Sequence, residues 1–262
     1  MNLHKRILTE NACYKAGRTI TPKGIMVHST GANNPSLKRY VGPDDGLLGK
    51  NQYNNHWNQD RPGGRQVCVH AFIGKFAGGE VGTVQTLPWN RRAWHCGSGR
   101  KGSGNDTHIA FEICEDGLTD PAYFQAVYWE AVELTAMLCK EYGLDPLADG
   151  VVICHAEGCK RGIASNHGDV LHWFPRHGKN MDDFRSDVAR TMKGEESMSY
   201  EQFKAYMEQY RKELGGQPVP GWAQTEHETA RAAGLTDGSR PNDFCTRQEA
   251  VSFALRAVRA KK

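Results

Sequence analysis

No run of the 262-residue chain approaches the roughly 18 uninterrupted apolar residues that a membrane-crossing helix needs. The opening MNLHKRILTENACYK carries no apolar core of the secretory-signal kind, so synthesis as a soluble cytoplasmic protein without an export signal is expected. Lysine and arginine are scattered rather than blocked and the net charge is only +3, which speaks against a nucleic-acid footprint. The ten basic and ten acidic residues from Glu195 onward leave the tail neutral, so it is no polybasic anchor. There is no HExxH stretch, which argues against the common zinc-protease helix. The eight cysteines lack the close spacing of a small disulfide scaffold, and several lie in apolar runs. Most are expected to be buried thiols rather than a disulfide framework.

What is present is enough for a sizeable core: 39% hydrophobic and 24% charged residues fit one medium domain with a small appendage, or one large domain. After turn chemistry at Thr21-Pro22-Lys23-Gly24, Ile25 to His28 reads as a short strand that ends on a histidine. Further strands are expected over Gln66 to Ile73, with His70 inside it, over Val81 to Gln85, and over Thr107 to Cys114, where Glu112 alternates to the face opposite Ile109, Phe111 and Ile113. That face is either solvent or a site, and in a site desolvation would raise the carboxyl towards a useful general base. Asp120-Pro121 opens a helix whose apolar stripe runs to Tyr142 and stops at Gly143. Val151 to Ile153 returns as a strand, and Met181 to Met192 is a second amphipathic helix. The pattern predicts an α/β fold, a mixed central sheet covered by helices, over residues 1–194, with 193–197 as a linker. Residues 195–262 are expected to form a small all-α domain with helices from Phe203 to Leu214, Trp222 to Ala233 and Thr246 to Arg259.

The densest chemistry lies in VVICHAEGCKRGIASNHGDVLHWFP, residues 151–175. A strand delivers Cys154 and His155, and a turn-rich segment brings His167, Asp169 and His172 back towards them. His28 and His155, at the ends of strands where ligands collect in parallel sheets, supply two imidazoles. A third ligand from Asp169, His167 or His172 would complete a catalytic metal set, with Cys154 and Cys159 formally open. His70 and His95 read as structural or substrate-facing. The polar, aromatic stretch from Asn33 to Pro62 suits either a solvated excursion or a substrate groove in which Tyr53, His56 and Trp57 would touch ligand.

Five ordered blocks, Gly24 to Thr30, Val69 to Ile73, Ala93 to Gly97, Ile109 to Glu112 and Cys154-His155, resemble the signature blocks of zinc-dependent N-acetylmuramoyl-L-alanine amidases, a fold shared with peptidoglycan-recognition proteins, over roughly residues 20–192. The resemblance implies Zn2+ held by His28, His155 and Asp169, Glu112 as the proton carrier, and His167 where the family has a lysine or threonine on the oxyanion. It also implies bacterial peptidoglycan as the partner and cleavage between N-acetylmuramic acid and L-alanine. The chain departs from the family pattern in lacking Pro-Gly after the third ligand and in a longer gap between the last two ligands. A non-catalytic peptidoglycan-binding module of the same fold is the alternative. The tail, through Trp222-Ala223, Gly234 to Gly238, Pro241 and Thr246 to Glu249, resembles a single S-layer-homology-like unit, for which wall binding or self-association as a homo-oligomer is expected. The missing export signal fits a phage or prophage endolysin that reaches the wall after release.

Overall fold

The computed structural model describes residues 1–194 and 200–260; the linker expected over 193–197 therefore lies mostly outside the described residues. The chain divides into two compact units, Met1–Ser197 and Met198–Lys262.

The first unit is built on a six-stranded sheet in the order β1-β4-β3-β5-β2-β6. Its strands are β1 (Leu3–Lys5), β2 (Gly24–Ser29), β3 (Ala71–Lys75), β4 (Val81–Gln85), β5 (His108–Ile113) and β6 (Val152–Cys154). Neighbours β3, β5, β2 and β6 run parallel, while β3 and β4 pair antiparallel as a hairpin. The sheet is therefore mixed, as the alternation of strand and helix patterns predicts. Close approach of β6 to β2 requires Gly24, where a Cβ would fall 2.4 Å from the Val151 carbonyl.

One face of the sheet, carrying Ile25, Val27, Ile109, Phe111 and Ile113, is covered by α2 (Pro121–Tyr142). This helix starts where Asp120 accepts from the Ala122 and Tyr123 amides and Pro121 fills the first turn, and it stops at Gly143 in the left-handed region at φ 65°. Its buried stripe of Tyr123, Phe124, Val127, Tyr128, Ala131, Leu134 and Leu138 recurs at three- and four-residue steps. Helix α4 (Met181–Met192) packs beside it through Phe184 and Val188. The other face, with Met26, Phe72, Ala110 and Ile153, lies under irregular chain that contributes Leu37, Tyr40, Val41 and Leu48. The side chains of His28 and Glu112 share that face at the strand ends by alternation.

The structure differs from expectation in three places. The ladder of β3 begins at Ala71 rather than Gln66, because Cys68 pairs instead with Trp94 in an isolated bridge. The segment after β6 is not only turns: α3 (His155–Arg161) starts at once, a seven-residue helix holding Gly158 and too short for a periodic stripe. A disulfide joins Cys68 to Cys13 in the short helix α1 (Ala12–Lys15), while Cys96, Cys114, Cys139 and Cys154 are buried thiols.

The second unit holds α5 (Tyr200–Gly215), α6 (Gln224–Ala232) and α7 (Arg247–Ala260). Thr246 and Glu249 cap α7 reciprocally, as their spacing predicts. No residue whose burial is described from 203 to 259 is buried as a whole, and Phe203, Tyr206, Tyr210, Trp222, Phe253 and Val258 are exposed. No helix of the described residues is long and apolar enough to cross a membrane.

Candidate active site

The register of the parallel strands brings the site together. His28 on β2 stands directly opposite Glu112 on β5. Cys154, the last residue of β6, pairs with Val27, so the chain delivers His155 beside His28 at the same sheet edge. His155 is the first residue of α3, whose start is fixed from outside. Glu157 accepts from the Cys154 amide at 3.0 Å, and Arg185 of α4 grips both oxygens of Glu157 at 3.1 Å while donating to the Val152 carbonyl. The segment carrying Asp169 is anchored by Val170, Trp173 and Phe174, all buried against α2, with Phe124 edge-on to Trp173. Asp169 itself has φ 23°, a strained backbone of the kind found where a side chain must be aimed.

Three donor atoms converge. His28 Nδ1 and His155 Nδ1 each lie 2.9 Å from Asp169 Oδ2 and 3.2 Å from one another. Among the described residues this is the one group of three or more His, Cys, Asp or Glu side chains gathered for a metal, its ligand atoms all within 4.8 Å. Tetrahedral zinc with nitrogen and oxygen ligands near 2.0–2.2 Å spaces its donors roughly 3.3–3.5 Å apart, so two imidazoles and a carboxylate fit with small outward shifts. Burial lowers the His28 pKa, which favours the neutral ring that a metal needs. Asp169 feels burial, which alone would raise its pKa, but its hydrogen bonds to His155 and His28 outweigh this and hold the carboxyl below its ordinary range.

Glu112 behaves in the opposite way. Burial first, then the charges of Asp169 and Glu115, push its pKa well above the usual carboxylate value. Its Oε2 is buried and has no hydrogen-bond partner among the described residues. Glu112 lines a cavity of about 710 Å³ together with His28, His155, His167 and Asp169, so its face of β5 looks into a cavity rather than open solvent. A carboxyl poised to exchange a proton beside a cluster of metal-ligand type is the pairing that hydrolysis requires.

The remaining candidates separate. His167 is exposed on the cavity wall, its ring 4.7 Å from that of His155 and its Nδ1 3.2 Å from Ser165 Oγ. His172 turns away to Glu115, its Nε2 2.9 Å from Oε1. Cys154 faces the α2 side, and burial raises its thiol pKa to about 11, so it packs as a neutral group. His70 is buried, donates to the Arg91 carbonyl at 2.7 Å and accepts from the Ala110 amide at 3.0 Å, a structural ring with both nitrogens satisfied. Of the groove candidates Trp57 alone lines the cavity, whereas Tyr53 is 75% exposed and His56 packs on Gly42.

Sequence reasoning undervalues His95. Its Nδ1 lies 2.9 Å from His28 Nε2, on the edge of that ring away from Asp169. A ligand set complete without it makes this histidine look surplus, although its block, Ala93-Trp94-His95-Cys96-Gly97, is plainly marked in the chain. Ser165, 3.3 Å from His155 Nε2, carries no sequence signal at all.

Residues 18–170 match the Amidase_2 family, N-acetylmuramoyl-L-alanine amidase. The chain is 41% identical over 68 residues to the N-acetylmuramoyl-L-alanine amidase XlyB of Bacillus subtilis (strain 168), covering 26% of this chain and 21% of that protein. It is 38% identical over 68 residues to the amidase CwlA of the same organism, covering 26% of this chain and 25% of that one. The aligned stretch thus spans a quarter or less of each curated relative. Among solved structures, PlyL is similar at 22% identity and TM-score 0.49, covering 72% of this chain and 97% of PlyL. The catalytic domain of XlyA is similar at 22% identity and TM-score 0.48, covering 72% and 99%. With more than half of its length inside the family match, including His28, Glu112, His155 and Asp169, the chain belongs to the N-acetylmuramoyl-L-alanine amidase family.

Proposed function

We propose that this protein is a zinc-dependent peptidoglycan hydrolase that cleaves the amide between the lactyl group of N-acetylmuramic acid and L-alanine. The observation that carries the reading is the meeting of His28 Nδ1, His155 Nδ1 and Asp169 Oδ2 beside the protonation-prone Glu112, within the family-matched span. His28, His155 and Asp169 would hold the metal, which when bound polarises a carbonyl and makes water a stronger acid. Glu112 takes the proton of the attacking water on Oε2 and returns it to the leaving amine of L-alanine. His167, on the cavity wall, donates to the oxygen that becomes negative as the carbonyl is attacked, and losing one such donor typically costs ~100- to 1,000-fold in turnover. Trp57 and Trp94 flank the cavity as apolar walls for the sugar-lactyl end of the substrate.

The non-catalytic binding alternative is less well supported, because the three ligands and Glu112 are all present together. In the second unit a groove of about 600 Å³ is lined by Arg240 and Arg256, by Asp237, Asp243 and Glu249, and by Phe244 and Phe253, a mixed-charge and aromatic composition that suits retention on the wall, with self-association as the rival. Digestion of purified peptidoglycan followed by mass analysis tests the bond assignment. Released stem peptides should begin with a free L-alanine amino group, and new sugar reducing ends in their place would overturn it.

A further inference from the structure

Both proposed imidazole ligands present Nδ1 to the cluster, so each must carry its ring proton on Nε2, and whatever accepts that proton sets the tautomer and the ring plane. The two acceptors trace back to one short strip of chain. His28 Nε2 lies 2.9 Å from His95 Nδ1. His155 Nε2 lies 3.3 Å from Ser165 Oγ, and that hydroxyl donates to the Cys96 carbonyl at 3.2 Å. The strip is itself clamped by Asn105, which is fully buried. Its Oδ1 accepts from the His95 amide at 2.7 Å and the Cys96 amide at 3.2 Å, and its Nδ2 donates to the Gly97 carbonyl at 2.8 Å.

We propose that residues 95–97, locked by Asn105, form the support that orients the metal ligands of this chain: His95 acts as a positioning residue on His28, and Ser165, held by the Cys96 carbonyl, acts as one on His155. For His95 to accept at Nδ1 its ring must be neutral with the proton on Nε2. His95 is not a fourth ligand, because it meets the edge of His28 that points away from Asp169. The proposal rests on the metal reading of the site, and it assigns to residues outside the ligand set the task of holding two rings from behind.

The test is zinc affinity of the full chain, measured by competition with a chromophoric chelator, and it needs no amidase assay. His95→Ala and Ser165→Ala should each weaken zinc binding roughly 10- to 100-fold, the usual cost of losing such a partner. His95→Asn places a carboxamide oxygen near the position of Nδ1 and should recover most of the loss, which a merely space-filling histidine would not predict. If His95→Ala does not fold, Ser165→Ala, at a half-buried position, decides the matter alone. Wild-type affinity in both alanine variants, or no recovery with asparagine, overturns the proposal while leaving the metal site standing. Absence of stoichiometric zinc from the wild-type protein would instead remove the metal reading beneath it.

Discussion

Glu112 sits where a charged carboxylate is disfavoured: half-buried, with its Oε2 enclosed and unpartnered among the described residues and Asp169 and Glu115 nearby. Its folded pKa therefore exceeds its unfolded one, so the native state binds more protons than the unfolded state between the two values, and stability falls as pH rises through that window. Metal-free Glu112→Gln should accordingly unfold at higher denaturant concentration than the metal-free wild type at pH 7, and the advantage should vanish below about pH 4, where the unfolded carboxyl is also protonated. Urea titrations at the two pH values would show it, and an equal or lower midpoint for the variant at pH 7 would contradict the assignment. The same variant should keep zinc yet lose turnover, whereas His28→Ala, His155→Ala and Asp169→Ala should lose both, as metal analysis beside a peptidoglycan assay would show. His167→Ala should resemble Glu112→Gln; loss of zinc from it, with retention in Asp169→Ala, would mean the two roles are exchanged.

At the scale of elements, the site depends on strand ends held in register and on helices that fix them. Asp120 caps α2 with two amide hydrogen bonds, and Asp120→Ala should cost about 1 kcal/mol of stability by denaturant unfolding while leaving the site intact. Asp187 on α4 is 1% exposed, accepts from the Tyr128 hydroxyl of α2 at 2.6 Å and pairs with Lys179 at 2.8 Å. Burial pulls its pKa up, but the hydrogen bonds from Lys179 and Tyr128 prevail and lower it. Its contribution is thus present above about pH 4 and is lost as pH falls through the depressed folded value. Asp187→Asn should destabilise the protein at pH 7 and should narrow its gap from the wild type on acidification. A constant gap from pH 7 to pH 3 would show that the pair is not the cause. Strand and helix existence is largely legible from periodicity, as α2 shows from cap to cap. Helix α3 is not, because seven residues containing a glycine leave no stripe, and its start is fixed by Arg185 gripping Glu157 from 28 residues away.

At the scale of the whole molecule, the first unit holds the buried apolar clusters and the candidate site, whereas no residue described from 203 to 259 is buried as a whole in the second. A chain ending at residue 194 should therefore retain cleavage of solubilised peptidoglycan fragments but sediment less with intact walls. Unchanged sedimentation would leave the tail without a role in wall retention. Much of the candidate site is legible in the amino-acid sequence, because His28 and Glu112 end or line apolar strands and the His155–Asp169 segment is crowded with donors. Tertiary placement supplies the rest. That Asp169, and not His167 or His172, meets His28 and His155 follows from the anchoring of Val170 and Trp173 in the core, and the proposed support from His95 and Ser165 follows from a loop folded across the strand ends.

Metal-dependent release of peptides from the wall is the most direct test of the proposed centre. Chelator-stripped protein should release no L-alanine amino termini from purified peptidoglycan above background, and adding back one equivalent of zinc should restore the untreated rate. Release that proceeds equally in the stripped protein would contradict the assignment of His28, His155 and Asp169 as a catalytic metal centre.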